Sequence, residues 1–402
     1  MDSAEYEKII KACRFCLMCR HLCTVGNITY AETNTPRGQA LALDCLGSEA
    51  LEDTPGTRKR LAEVLFSCCY CGHCESNCVS SYRHPDAIMA ARAMVREEDL
   101  PARVRALRGI VSKTGEFYEA PAQVGEPVMA LAGGEADAAG NDVLLYIGSF
   151  ARNEGKAMAA GAPRNDGGEA AGSPRNDGGE AAGSQAVAEA AAKALYNAGV
   201  GFAVLPCEGG TGMAAYLLGM PDEAQRALDR EIGRIGELSP GRVVCLSPED
   251  QRVLSGGVPG LDASALKAPV VGFAAFALEL IRGGKLSPKP GHGGKPVVAW
   301  HDGDQGGRFL NDFEAPREVV KSIPGIGYSE LFWSKGEAAS AGESGAVHML
   351  DEGLACEIAA KRLEQVEGRG IDILATDSPE AKARLSAAGG GLAVLHIAEL
   401  LV

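Results

Sequence analysis

The sequence predicts two architectures in one chain: an α-helical, cysteine-rich domain over residues 1–115, then a duplicated α/β domain made of two βα repeats. Three observations carry this. Ten of the 13 cysteines lie between Cys13 and Cys78. In the same region apolar residues recur three or four apart, the period of a helix, in RGQALALDCLG and RKRLAEVLFSC. From Asn141 onward short β-rich runs alternate with Ala/Leu/Glu-rich stretches, the pattern of parallel sheets with crossover helices.

Each element follows in order. HPDAIMAARAMVREE closes the helical domain with a Pro-Asp start before an amphipathic run. Residues 116–140 are rich in Gly, Ala and Pro and read as a linker. The first repeat, 141–283, offers four strands in DVLLYIG, GFAVLP, RVVCL and APVVGF. It is interrupted at 160–184 by AGAPRNDGGEA and its tandem copy AGSPRNDGGEA. That insert has no β-branched or aromatic residue, so it buries too little to offset ordering entropy and reads as a surface loop. A second linker, 284–295, precedes the second repeat, 296–402, with strands in PVVAWH, GYSELFW, IDILAT and LAVLHI. The repeats end alike: RVVCLSPEDQRVL pairs with IDILATDSPEAKARL, and APVVGFAAFALELI with GLAVLHIAELLV.

Charge narrows the function classes. The chain has 39 Lys+Arg against 53 Asp+Glu, a net −14, which argues against nucleic acid or an anionic membrane as the main partner. Residues 1–115 carry 15 basic and 14 acidic residues, so the acidic excess lies downstream. No uncharged run approaches the ~18 residues of a membrane span, and the N-terminus lacks an apolar signal core. The expectation is a soluble cytoplasmic protein without a transmembrane segment, reaching a membrane only through a partner.

The cysteines carry the chemistry. Cys13, Cys16, Cys19 and Cys23 form C-x2-C-x2-C-x3-C, and Cys68, Cys71, Cys74 and Cys78 repeat that spacing. Three cysteines at intervals of three wrap three corners of one cubane, while the fourth points away to the other cluster. The expected cofactors are therefore two 4Fe-4S clusters. Cys13, Cys16, Cys19 and Cys78 would hold the first; Cys68, Cys71, Cys74 and Cys23 would hold the second. Zinc sites usually show separated CxxC pairs, so zinc is the weaker reading. Thr24 and Val79 stand where a proline usually follows the fourth cysteine. Cys69 and Cys45 have no ligand register and read as small buried residues.

Forty-four helix-like residues separate Cys23 from Cys68, too many for a compact bacterial ferredoxin. With TPRGQAL after the first run and LFSCCYCGHCESNC before HPDAIMAAR, this region resembles the α-helical two-cluster ferredoxin-like domain of heterodisulfide-reductase, glycolate-oxidase and succinate-dehydrogenase iron–sulfur subunits. The resemblance continues downstream. Residues 300–337 are similar to the second Cys-Cys-Gly repeat of heterodisulfide-reductase and glycolate-oxidase subunits, through His301-Asp302, Gly307-Arg308 and Ala315-Pro316-Arg317-Glu318. In catalytic members, cysteines of these repeats build an unusual 4Fe-4S site that cleaves a disulfide.

Here those cysteines are replaced. The resemblance aligns Asp304, Ser340-Ala341-Gly342 and Ser378-Pro379-Glu380-Ala381 with cysteine-bearing positions of the second repeat. It aligns Ser149, the glycine-rich 209–212 and Ser247-Pro248-Glu249-Asp250 with those of the first. Cys207 and Cys245 lie nearby but out of register, and Cys356 stands apart. Soft iron sites select thiolates, so no third cluster, and no catalytic residue, is expected. His301 reads as hydrogen-bonded structure, and His73 as either a donor to a cluster sulfur or a surface residue. Lys11, Arg14 and Arg20 would favour a reduced first cluster. Gly209-Gly210 and Gly389-Gly390-Gly391 read as turns, without a dinucleotide fingerprint.

The resemblance implies an iron–sulfur electron-transfer subunit of an oxidoreductase complex, with no evident substrate site of its own. Its partner would be a flavoprotein, such as a FAD-linked 2-hydroxyacid dehydrogenase, together with a further electron acceptor. The alternatives are a catalytic heterodisulfide- or quinone-reducing subunit and a redox-sensing scaffold.

Overall fold

The computed structural model describes residues 3–132, 142–153, 185–289, 295–389 and 391–402. The tandem insert at 160–184 lies outside them. Among the described residues no strand precedes Val143; the first part of the chain is helical. Its longer helices span Ser3–Ala12, Pro36–Gly47, Pro55–Ser67, His84–Met94 and Ala102–Thr114. Two of these start on the same Thr-Pro device. The Thr35 and Thr54 hydroxyls accept from the backbone N–H of Gly38 and Thr57, and Pro36 and Pro55 occupy the first turn, where no N–H is needed.

Eight short strands follow among the described residues: β1 Val143–Tyr146, β2 Phe202–Ala203, β3 Arg242–Cys245, β4 Val270–Gly272, β5 Val297–Trp300, β6 Gly327–Ser329, β7 Ile373–Thr376 and β8 Ala393–His396. They form two four-stranded sheets, ordered β2-β1-β3-β4 and β6-β5-β7-β8. Every pairing is parallel. The two halves thus repeat one topology, as the likeness of their sequences suggests. Even the caps recur: Ser247 opens the helix after β3 and Ser378 the helix after β7.

Side-chain alternation assigns each face of the first sheet. Leu144 and Tyr146 of β1 pack into a core shared with the helical region, including Leu65, Ile88 and Leu107. Val143 and Leu145 face the opposite core, with the helices Ala186–Asn197 and Phe273–Arg282 and, from the second sheet, Val298 and Trp300. The stretch expected as a linker joins this core as well. Its helix Glu126–Leu131 buries Val128 there, because four apolar residues in EPVMAL outweigh the turn-forming composition around it.

In parallel α/β sheets the loops at the carboxyl ends of the strands form the natural binding crevice. Here the carboxyl ends of both sheets supply loops to one region, described below.

Candidate functional site

The eight cysteines of the two motifs gather in two adjoining cavities. The first is lined by Cys13, Cys16, Cys19 and Cys78. The second is lined by Cys23, Cys68, Cys71 and Cys74, with Cys69 beside them. Cys74 and Pro36 border both, so the cavities share a wall. The fourth cysteine of each run therefore sits with the other run's first three. Cys45 lines neither.

Local backbone geometry explains the convergence. In each run an aromatic residue two places after the first cysteine, Phe15 or Tyr70, takes a left-handed conformation, with φ 50° and 52°. That turns its N–H back on the sulfur: Phe15 N–H donates to Cys13 Sγ at 3.4 Å, and Tyr70 N–H to Cys68 Sγ at 3.5 Å. The fourth cysteines are treated alike, with Gly26 N–H on Cys23 Sγ and Tyr82 N–H on Cys78 Sγ, both at 3.3 Å. Such donors stabilise negative sulfur.

Each cavity is lined by five cysteines, Cys74 being common to both, which is enough to supply the four thiolates a 4Fe-4S cubane takes. Burial pushes most of these thiols up, Cys19 to about 11, and Cys23, Cys68 and Cys74 likewise upward. Cys71 and Cys78 are the exceptions. At Cys78 burial is outweighed by hydrogen bonds from Ser80 and the Tyr82 N–H. At Cys71 the neighbouring Cys69 thiol, helped by the charge of Arg308, outweighs burial and holds the group well below the ordinary thiol range. Cys69 lines the second cavity close to Cys71, a position its spacing does not signal. Arg308 also donates to the Cys71 carbonyl at 2.6 Å. His73 is buried, its Nε2 3.4 Å from Glu337, so of its two expected settings the surface one is excluded. Accessibility differs between the sites. Cys16 is exposed, whereas Cys71 and Cys74 are buried.

Comparison with known proteins agrees with the cysteine pattern. The chain is 25% identical over 197 residues to the probable iron-sulfur-binding oxidoreductase FadF of Bacillus subtilis (strain 168), covering 49% of this chain and 27% of the relative. It is 29% identical over 131 residues to one component of the dihydromethanophenazine:CoB--CoM heterodisulfide reductase of Methanosarcina barkeri, and 30% over 127 residues to the same component from Methanosarcina mazei. Each of these two matches covers 32% of this chain and 31% of the relative. The resemblance to iron–sulfur oxidoreductase subunits holds. The chain spans less than a third of the length of these relatives. No family model and no solved structure matches it.

Sequence spacing does not reveal a third feature. Positions that the resemblance aligns with lost cysteines, on both repeats, meet around one cavity of about 610 Å³ measured out to its mouth. Ser149, Gly210–Gly212, Glu249 and Asp250 come from the carboxyl-end loops of the first sheet, and Glu343 and Glu380 from those of the second. Hydroxyls and carboxylates there bind one another. Ser340 Oγ donates to Asp304 at 2.6 Å, Ser378 Oγ to Glu380 at 2.9 Å, and Thr211 Oγ1 to Asp250 at 2.8 Å. Glu343 accepts the N–H groups of Asp304 and Ala341, both at 2.9 Å. Burial opposes its charge, but His301 and these amides prevail and hold it below the usual carboxylate range. His301 is fully buried, its Nδ1 accepting from Arg362 Nε at 3.1 Å, which makes it a neutral structural histidine.

Glu249, Asp250 and Glu380 are pushed the other way, by burial first and then by carboxylate repulsion. A carboxyl that holds its proton more tightly when folded stabilises the fold below the ordinary carboxylate range of about 4 and loses that contribution as pH rises. Among the described residues no hydrogen bond reaches the Glu249 carboxylate. Glu249→Gln should therefore raise the melting temperature at pH 8 by a few degrees, on the order of 1 kcal/mol. The gain should shrink at pH 5. Melting curves at the two pH values check this, and a loss at pH 8 contradicts it.

Proposed function

We propose that this chain is an iron–sulfur electron-transfer subunit of a multi-subunit oxidoreductase, relaying single electrons through two 4Fe-4S clusters. The observation that supports the reading is that the eight motif cysteines line two adjoining cavities, Cys78 beside Cys13, Cys16 and Cys19, and Cys23 beside Cys68, Cys71 and Cys74, the last bordering both. The names of the relatives, an iron-sulfur-binding oxidoreductase and heterodisulfide reductase subunits, point the same way. Cys13, Cys16, Cys19 and Cys78 hold the first cluster; Cys23, Cys68, Cys71 and Cys74 hold the second. Bound there, the clusters supply one-electron chemistry, and the protein sets their spacing and surroundings.

The first site is the port. Leu17, Met18 and Val79 are 62%, 48% and 80% exposed beside it, a concentration of large apolar side chains next to an exposed ligand. A partner protein seated there would dehydrate the first cluster, with the second behind it. A flavoprotein such as a FAD-linked dehydrogenase is the partner proposed, drawn to the acidic downstream half by a basic face. The catalytic alternative is disfavoured by the residues around the inter-repeat cavity. None of those lining it is a cysteine, and carboxylates and hydroxyls are hard donors, poorly matched to soft iron–sulfur sites.

Iron analysis tests the reading. Anaerobically purified protein should contain about eight irons per chain and give signals of two interacting clusters by EPR after reduction. About twelve irons would place a catalytic centre on this chain and overturn it.

A further inference from the structure

We infer that the second cysteine site is the electron sink of the pair. Arg92 and Arg308, two buried guanidiniums set on its ligand carbonyls, give it the higher reduction potential, so electrons run from the exposed first site to the buried second. The inference rests on the two-cluster reading and adds a direction to it.

Reduction adds one negative charge to a cluster, so net positive charge around it raises its potential. A charge buried in protein acts through an effective dielectric of about 20, against about 80 in water, and counts about four times as much at equal distance. Where each arginine lies therefore matters more than how many there are.

At the second site both are buried. Arg92 is fully buried and donates to the Cys68 carbonyl at 2.7 Å. With no carboxylate partner among the described residues, its charge is not cancelled nearby. Arg308, its side chain 2% exposed, donates to the Cys71 and Ala338 carbonyls, both at 2.6 Å, and pairs with Asp304. Among the charges acting on the Cys71 thiol, that of Arg308 comes first.

The second repeat delivers Arg308. Its helical segment Asp304–Phe309 lies on the second motif: Phe309 stacks on Tyr70 with ring centroids 5.4 Å apart, and a Cβ on Gly72 would meet the Phe309 ring at 2.8 Å. The repeat without motif cysteines thus still supplies charge to the cysteines upstream.

The first site is arranged otherwise. Lys11, Arg14 and Arg20, expected to favour its reduction, are all exposed, and water screens them. Arg37 donates to the Phe15 carbonyl at 2.7 Å, but Glu32 pairs with both Arg37 and Arg20 and cancels part of their charge. Glu75 opposes negative charge at Cys78. Burial of the second site by itself resists added charge; the two guanidiniums meet that resistance at the ligands. In the transfer, one electron leaves the first site, which is oxidised, and enters the second, which is reduced, with no bond or proton changing place. A partner seated at the exposed first site is accordingly the electron donor.

An EPR-monitored redox titration of the full, cluster-loaded chain tests this, with Cys16→Ser, which keeps only the second cluster, assigning the two steps. The second cluster should titrate higher by at least tenfold in its reduction equilibrium, about 59 mV for one electron. Arg308→Gln should lower the second potential at least threefold in that equilibrium and leave the first unmoved, and Arg308→Lys should restore most of the loss. Asp304→Asn, which removes the counter-charge, should raise it. A first cluster of equal or higher potential overturns the proposal, and this is read on chains that keep Arg308. So does an Arg308→Gln variant whose second potential is unmoved, or whose two potentials fall alike. Should Arg308→Gln lose iron, Asp304→Asn takes its place, and an unmoved second potential there is equally fatal. Fewer than about eight irons in the wild type would instead defeat the two-cluster reading itself, before any order of potentials is measured.

Discussion

Replacing Cys71 by serine should halve the iron, from about eight to about four per chain, and abolish electron passage while both parallel sheets stay folded. Cys71 is the thiol best prepared to ionise. The Cys69 thiol lies close to it, and the Arg308 guanidinium adds positive charge to its surroundings. A serine hydroxyl is a harder donor and far less acidic, so it offers iron a poor corner. The cavity contains one potential rescuer, Cys69, whose side chain lines it too. Cys71→Ser should therefore be made alone and with Cys69→Ala; if the single variant keeps its second cluster, the double one should lose it. Cys16→Ser, at the exposed end, should remove the first cluster instead and block exchange with a partner while leaving the second reducible by small dithiols or dithionite. Iron content, EPR of the reduced protein and anaerobic reduction of a dye read all three. Full iron and unimpaired transfer in both the double variant and Cys16→Ser would dispose of the wire.

What could be read from the chain alone follows the range of the forces involved. All eight strands fall within the β-rich runs, because a strand buried on both faces shows as an unbroken apolar run such as VLLY or VVAW. The crossed grouping of cysteines is what the sequence leads one to expect, because three-residue spacing is a local constraint on where sulfurs can point. The acidic cavity is not. Ser149, Asp250 and Glu380 are more than 100 residues apart along the chain; the parallel pairing of β1 with β3 brings the first two together, and a loop of the second sheet adds the third. Seen singly, each registers as a missing cysteine, a loss; seen together they are a charged wall, a different chemistry. Glu343 and His348 carry no pattern at all in SAGESGAVHML. Cys69 was likewise silent, since it falls outside the three-residue spacing yet lines the second cavity. Residues 116–118 look like linker by composition, yet Glu116 and Tyr118 are buried in the cavity wall.

The second large effect is expected at Arg92, where Arg92→Met should cost about 3–5 kcal/mol and empty the second cysteine site. Arg92 is fully buried and has no carboxylate partner among the described residues. Its guanidinium donates instead to four backbone carbonyls: Leu65 at 3.1 Å, Cys68 at 2.7 Å, Leu217 at 2.8 Å and Gly345 at 3.4 Å. These belong to the helical region, the first repeat and the second repeat, so one side chain fastens all three around the start of the second motif. Burial lowers its pKa only to about 10, so it stays charged at neutral pH. It lies over the Phe66 ring at 4.9 Å, and its charge favours thiolate at Cys68. Methionine fills much of the space but leaves four buried carbonyls a donor short, and lysine cannot reproduce the fork. Arg60→Met is the control, since Arg60 is largely exposed and, among the described residues, pairs with Glu63 alone, an interaction worth about a few tenths of a kcal/mol. Denaturant melts should separate the two by several kcal/mol, and iron analysis should show the deficit in Arg92→Met alone. Equal stability of the two variants would mean the three regions are joined by apolar packing, with the guanidinium a passenger. That outcome would conflict with the physics of four buried carbonyls sharing one charged donor, because each of those oxygens would then lose its partner at no cost.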